Sequence, residues 1–188
     1  MSQNPLTTSR RRFLHMVGGL TAGVAVSPSV LAKVPATLTR ERSLAFYNLH
    51  TGESLKTTFC IGHQFLPDSL REVNHLLRDH RTGEACDISP KLLVLLHDLQ
   101  KLLGNRHPFH VVSGYRSPAT NNLLRQHSDG VAKKSLHMQG KAIDIRLPGT
   151  QLGKLHRGAV SLKRGGVGLY SQSDFVHLDV GRVRYWGA

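Results

Sequence analysis

The 188-residue chain is poor in cysteine, in aromatic residues and in acidic side chains, and it has no long apolar run. Two cysteines allow at most one disulfide, Cys60 with Cys86. An oxidising compartment would preserve such a bond, but spacing alone does not establish that its geometry is met. Cys60 and His63 have half of a zinc-finger spacing and no partner half. The one apolar stretch near the start, from about Val17 to Val26, is too short and too rich in glycine to persist as a membrane anchor. No repeat or low-complexity tract occurs. Acids number 12 against 25 lysines and arginines, a formal charge of +13. These cations are dispersed, with no aromatic–basic interleaving and no helix motif for reading bases, which argues against nucleic acid as the partner.

The first residues carry their own message. Arg10, Arg11 and Arg12 precede the apolar stretch, which closes on the small-residue site Val30-Leu31-Ala32. Charge, apolar run and cleavage site in that order predict a signal peptide over residues 1–32. "SRRRFL" closely resembles the twin-arginine export signal, which implies export of an already folded protein. Removing that segment takes away three arginines and no acid, leaving a formal charge of +10. For a basic protein outside the cytoplasm, the long-range field favours an anionic cell wall or outer surface.

Residues 33–42 read as a linker, and 43–188 as one domain of ordinary size. "RSLAFYNLHTGESLKTTF" predicts two strands joined near Thr51 and Gly52. "LPDSLREVNHLLRDH" and "SPKLLVLLHDLQKLLG" predict helices. In the second, Ser89 caps, Pro90 takes the first turn, Gly104 ends the helix, and Leu92, Leu95, Leu96, Leu99 and Leu103 form a core stripe. "HPFHVVSGYRS" predicts a short strand, and Ser117 and Pro118 open a third helix. In "KAIDIRL", Ile143, Ile145 and Leu147 alternate against Asp144. "GGVGLY" and "DFVHLDV" predict two further strands, the latter presenting Phe175, His177 and Asp179 on one face. The expectation is an α+β domain, a mainly antiparallel sheet with helices on one side.

His137 and Asp144 stand seven residues apart, but so do His80 and Asp87, so the interval itself carries little. Context separates the pairs. His80 and Asp87 fall in a polar turn between helices with no third ligand nearby. His137 and Asp144 lead into a strand, and a later strand offers His177. Two imidazoles and a carboxylate on a sheet face make a common zinc set with a position left for water, the chemistry of amide hydrolysis. Asp174, three residues ahead of His177, can serve as the base, and Arg116 can meet an oxyanion or a substrate carboxylate. The bland alternatives stay open at this point: a satisfied strand histidine, a turn-capping Asp174, an Arg116 paired to a structural acid.

"SGYRSPATNNLLR", "SLHMQGKAIDIRLPG" and "GGVGLYSQSDFVHLDVGRVRYW" resemble the motifs of the zinc peptidases that include bacterial D-Ala-D-Ala carboxypeptidases and murein endopeptidases. The fold of that family is also that of lysostaphin and hedgehog. The nearest likeness is to the exported, twin-arginine branch long catalogued as a domain of unknown function. It covers about residues 43–188. The resemblance implies that His137, Asp144 and His177 are zinc ligands, that Asp174 is the catalytic acid or base, and that Arg116 and Ser135 contact substrate. Many relatives carry Glu or His where this chain has the shorter Asp174. The implied function is an exported zinc peptidase cutting peptide cross-links of peptidoglycan. The alternatives are a D-Ala-D-Ala carboxypeptidase, or a non-catalytic wall-binding module whose zinc is structural.

Overall fold

The computed structural model describes residues 40–127 and 131–187. The expected signal segment, and all of the linker before residue 40, lie outside these residues. The first strand, β1 (Glu41–Asn48), begins two residues before the expected domain boundary at 43. It forms a hairpin with β2 (Ser54–Ile61) through a turn in which Gly52 has a φ of +72°, and β3 (Gln64–Phe65) adds to the far edge. Two helices follow, α1 (Pro67–Leu76) and α2 (Pro90–Leu103), then β4 (Phe109–Ser113), α3 (Pro118–His127) and β5 (Ala142–Arg146). After them come α4 (Leu152–Ser161), β6 (Gly166–Tyr170), β7 (Phe175–Asp179) and β8 (Arg184–Trp186). The eight strands make one sheet in the order β3-β2-β1-β4-β5-β7-β6-β8. Only the β1–β4 and β6–β8 pairings are parallel, so the sheet is mainly antiparallel and the architecture is α+β, as expected.

One face of this sheet is the core. Leu44, Phe46, Val111, Ile143, Ile145, Val167, Val176 and Leu178 point inward to meet the leucines of α2, with Val73 and Leu77 of the α1 region and Leu155 and Ala159 of α4 in the same cluster. The predicted stripe Leu92, Leu95, Leu96 and Leu99 is fully buried, Leu103 is partly buried, and Leu93 joins the core as well. Each such leucine contributes roughly 1.5–3 kcal/mol by leaving water. Helix α2 ends at Gly104 in the left-handed conformation. Ser89 sits at its N-cap position, but the hydroxyl makes no capping hydrogen bond; Pro90 suits the first turn because it has no N–H to leave unpaired there. Ser117 does cap α3, accepting the Thr120 N–H at 3.1 Å.

The opposite face carries polar groups, and two local features prepare it. Between Val111 and Ser113 strand β4 bulges against β5, so that Ser113 rather than Val112 lies opposite Asp144. The segment after β4 is pinned to the exit of α1. Tyr115 N–H donates to Leu77 O at 2.8 Å, and Ser117 N–H donates to the buried carboxylate of Asp79 at 2.8 Å. Asp79 also accepts the Arg81 N–H at 2.9 Å. His80 stacks on His50 and Asp87 accepts from Asn74, so the other His/Asp pair is spent on local structure. Cys60, buried, and Cys86, half-buried, are both free thiols, and burial pushes the Cys86 thiol up to about 11.

Burial pushes the Asp79 carboxyl up, but the hydrogen bonds from Thr120, Ser117 and Arg81 outweigh it and bring the pKa down from 3.8 to about 2. A depressed carboxyl stabilises the fold above its unfolded value, and that contribution disappears as pH falls through its folded value. Asp79→Asn is therefore expected to cost about 2 kcal/mol in denaturant unfolding at neutral pH. The gap from the native chain should close between pH 3.8 and about 2. A gap that persists unchanged at pH 2 would show that the charge of Asp79 is not what pins this segment.

Candidate metal centre

Strand alternation decides which side chains can meet on the polar face. In β5 the neighbours Ile143 and Ile145 are buried in the core, which turns Asp144 outward; in β7, Val176 and Leu178 do the same for His177. The antiparallel register places Asp144 directly opposite His177. A third residue arrives from a 3₁₀ turn, Leu136–Gln139, just before β5. Ser135 caps that turn by accepting the His137 N–H at 3.3 Å, and Gly140 ends it with a φ of +62°. A Cβ on Gly140 would collide with the Asp87 carbonyl, so the turn sits hard against the loop before α2.

These elements bring three ligand atoms together. His137 Nε2 lies 3.2 Å from His177 Nδ1 and 3.3 Å from Asp144 Oδ1, and His177 Nδ1 lies 2.8 Å from the same oxygen. The other ring nitrogens are already committed. His137 Nδ1–H donates to Gly114 O at 2.7 Å, and His177 Nε2–H donates to Asp179 Oδ2 at 3.1 Å. A carbonyl and a carboxylate only accept, so each ring turns its remaining nitrogen inward. Asp144 is oriented in the same way: Oδ2 pairs with Arg116, whose Nε donates to Ser113 Oγ at 2.9 Å, and Oδ1 is left to the histidines. Two imidazole nitrogens and a carboxylate oxygen, buried or nearly so and facing one another, suit a divalent cation in both donor type and spacing.

The two rings differ in their electrostatics. Burial holds the His137 pKa below its ordinary value, keeping the ring neutral as a ligand must be. Burial works against a charged His177 too, but hydrogen bonds to Asp144 and Asp179 outweigh it and move its pKa up. Asp144 is desolvated, yet its carboxyl is held far below the usual range by the facing rings of His137 and His177 in their protonated forms. Asp144 is an anion at every working pH.

Around the three residues lies a pocket of about 600 Å³, lined also by Arg116, Lys134, Ser135, Tyr170, Phe175 and Trp186. Of the residues singled out in the sequence, the structure gathers His137, Asp144, His177, Arg116 and Ser135 here. Asp174 is not brought in. It has a φ of +52°, its side chain is 65% exposed, and its carboxylate stands 3.3 Å from Arg146 Nε, beside a separate small hollow with His110 and Pro148. Sequence reasoning placed Asp179 on the face of His177 but gave it no role. Arg184 and Trp186 were visible only as letters of a motif.

Comparison with known proteins adds an independent line. The family model described as peptidoglycan L,D-endopeptidase MepK matches residues 36–186. The chain is 43% identical over 178 residues to the peptidoglycan L,D-endopeptidase MepK of Escherichia coli K12, covering 95% of this chain and 97% of that protein. The MepK of Shigella flexneri gives the same figures. The probable peptidoglycan L,D-endopeptidase MepK of Haemophilus influenzae is 40% identical over 185 residues, covering 97% and 98%. No solved structure gives a significant match.

Asp144→Asn preserves shape while removing the anion that both imidazoles and Arg116 share. It is expected to leave the purified protein with far less than one equivalent of divalent metal, and His137→Ala to do the same, as read by elemental mass spectrometry on folded samples. Stoichiometric metal in either variant would place the ion elsewhere.

Proposed function

The chain belongs to the metallopeptidase family of peptidoglycan L,D-endopeptidases, and from that premise we propose that it is an exported zinc enzyme hydrolysing peptide bonds between L and D centres in peptidoglycan. The observation that carries the proposal is the convergence of His137, Asp144 and His177 on one point at the floor of an open pocket. Zinc is favoured by the donor set and by its spacing: ligand atoms about 2.0–2.2 Å from a tetrahedral ion stand roughly 3.3 Å from one another, and these stand 2.8–3.3 Å apart. A bound zinc ion would supply Lewis acidity toward the scissile carbonyl and a nucleophilic water near neutral pH.

The protein's own groups take the remaining roles. Arg116, tied to Asp144 and lining the pocket, places positive charge where the carbonyl oxygen gains negative charge. Ser135 holds the His137 turn and also faces the pocket, so its contact with substrate and its capping role coincide. The acid–base role is assigned to Asp174 on its spacing ahead of His177. The geometry sets a condition on that assignment: the carboxylate must leave Arg146 and turn inward about the Ser171–Asp174 bend when substrate is bound. The wall of Tyr170, Phe175 and Trp186 offers apolar surface to the aliphatic parts of a stem peptide. Residues 1–32 are assigned as a twin-arginine signal, and the segment up to β1 as the linker. The remaining +10 charge suits an anionic wall.

The test is digestion of isolated murein sacculi by zinc-loaded protein, with mass spectrometry of the released fragments. The expected products end at an L,D bond. Asp174→Asn is expected to retain zinc and to lose cleavage by about 10²–10⁴-fold, the usual worth of a general base. Loss of only a few-fold would leave Asp174 as the partner of Arg146 and move the base elsewhere. Stoichiometric zinc with no cleavage of any murein peptide would leave a wall-binding module. For the export route, Arg10→Lys with Arg11→Lys is expected to strand the protein in the cytoplasm. Unchanged export of that variant would exclude the twin-arginine assignment.

A further inference from the structure

Strand β6 presents two bare positions to the polar face, Gly166 and Gly168. Across them β8 reaches the ligand strand. Gly168 is paired with His177 on one side and with Trp186 on the other. The indole of Trp186 occupies the space above Gly168, where a Cβ would overlap it, and lies 5.3 Å from the His177 ring, centroid to centroid. Two residues along, Gly166 is paired with Arg184, whose guanidinium crosses the glycine to Asp179. Arg184 Nη2 lies 2.7 Å from Asp179 Oδ2 and Nη1 lies 3.2 Å from Oδ1; a Cβ on Gly166 would strike both side chains. Asp179 is fully buried, and its Oδ1 also accepts the N–H groups of Gly166 at 3.0 Å and Gly181 at 2.8 Å. The same Asp179 Oδ2 that Arg184 holds accepts His177 Nε2–H. Trp186 is itself held, by its indole N–H to Tyr170 Oη at 3.1 Å and by Arg184 stacked 5.1 Å from its ring.

We propose that β8 is a positioning element of the metal centre, acting through Arg184 and Asp179 as positioning residues and through Trp186 as a packing wall, so that His177 offers Nδ1 and not Nε2 to the ion. The inference rests on the reading of His137, Asp144 and His177 as ligands. An imidazole can bind a metal through either nitrogen, and the partner of the other nitrogen decides which is used. Asp179 takes Nε2–H, but a carboxylate on a strand can rotate. Four donors, two from backbone and two from Arg184, remove that freedom. Arg184 also lines the pocket, but in this role it and Asp179 act on the ligand set through Asp179 and not on the ion's place directly. Their effect passes through the ring of His177.

The probes are Zn²⁺ in competition with a chromophoric chelator, and Co²⁺, whose visible absorption bands report the ligand set. Arg184→Met keeps an unbranched apolar stem while removing the guanidinium, and leaves Asp179 its two backbone donors. It is expected to weaken Zn²⁺ binding about 10–100-fold and to change the Co²⁺ bands, with Arg184→Lys restoring part of the loss. Gly168→Ala, which displaces the Trp186 indole, is expected to act in the same direction by an independent route. The melting temperature of each metal-free variant separates a general loss of stability from a loss at the site. Variants that melt lower but bind Zn²⁺ and Co²⁺ as the native chain does would overturn the proposal. A native chain that fails to bind Zn²⁺ would instead overturn the metal-centre reading beneath it.

Discussion

The pairing register between β5 and β7 is the constraint on which the site depends. Asp144 and His177 are opposite partners in that ladder, and each is flanked along its own strand by core residues. Side chains alternate with a period of two, so a slip of one residue would carry Ile143 or Val176 to the polar face and bury a charged group among leucines. The hydrophobic core therefore enforces the chemistry on the other side of the sheet. The leucines of α2 hold β5 and β7 in register, and the register holds a carboxylate against an imidazole. Even the bulge in β4 belongs to this logic, because it moves Ser113 into the row of Asp144 and gives Arg116 its second anchor.

Burying charge on that face is costly, and the structure offsets the cost in pairs. Asp144 is matched by Arg116, and Asp179 by Arg184. Each carboxylate is divided between its arginine and a histidine, one oxygen of Asp144 to each, with Asp179 Oδ2 shared. With the anions already compensated, the two inward nitrogens and Asp144 Oδ1 are left as a compact donor set whose remaining need is a cation. The pocket above is lined by both basic and aromatic side chains, Arg116, Lys134 and Arg184 with Tyr170, Phe175 and Trp186.

Much of this was legible in the residues. The period-two pattern of "KAIDIRL" and "DFVHLDV" fixed the faces of Asp144 and His177, and the leucine spacing of α2 fixed its core side. Where the sequence was silent, the reasons are physical. Helix α4 was missed because Gly153 and Gly158 dilute its helical signal; Gly158 is there because a Cβ would press on Leu103 of α2. Strand β8 has three residues and pairs in parallel with β6, too short and too non-local for periodicity to register. The role of Asp179 depends on Arg184 crossing a glycine, which no spacing rule encodes. The direction of Asp174 depends on one left-handed backbone angle, and a count of three residues to His177 cannot convey it.

The side chains that fill the two glycine gaps in β6 come from the last strand, and this sets an order in time. His137, Asp144 and His177 all precede β8 in the chain, so a ribosome delivers all three clustered side chains before it delivers Arg184 and Trp186. During synthesis there is an interval in which the donor atoms exist but Asp179, the partner of His177, still lacks its two donors from Arg184. Arg184 and Trp186 therefore reach the site last, and the ring of His177 is locked from this side only when the carboxy-terminal strand has closed over β6.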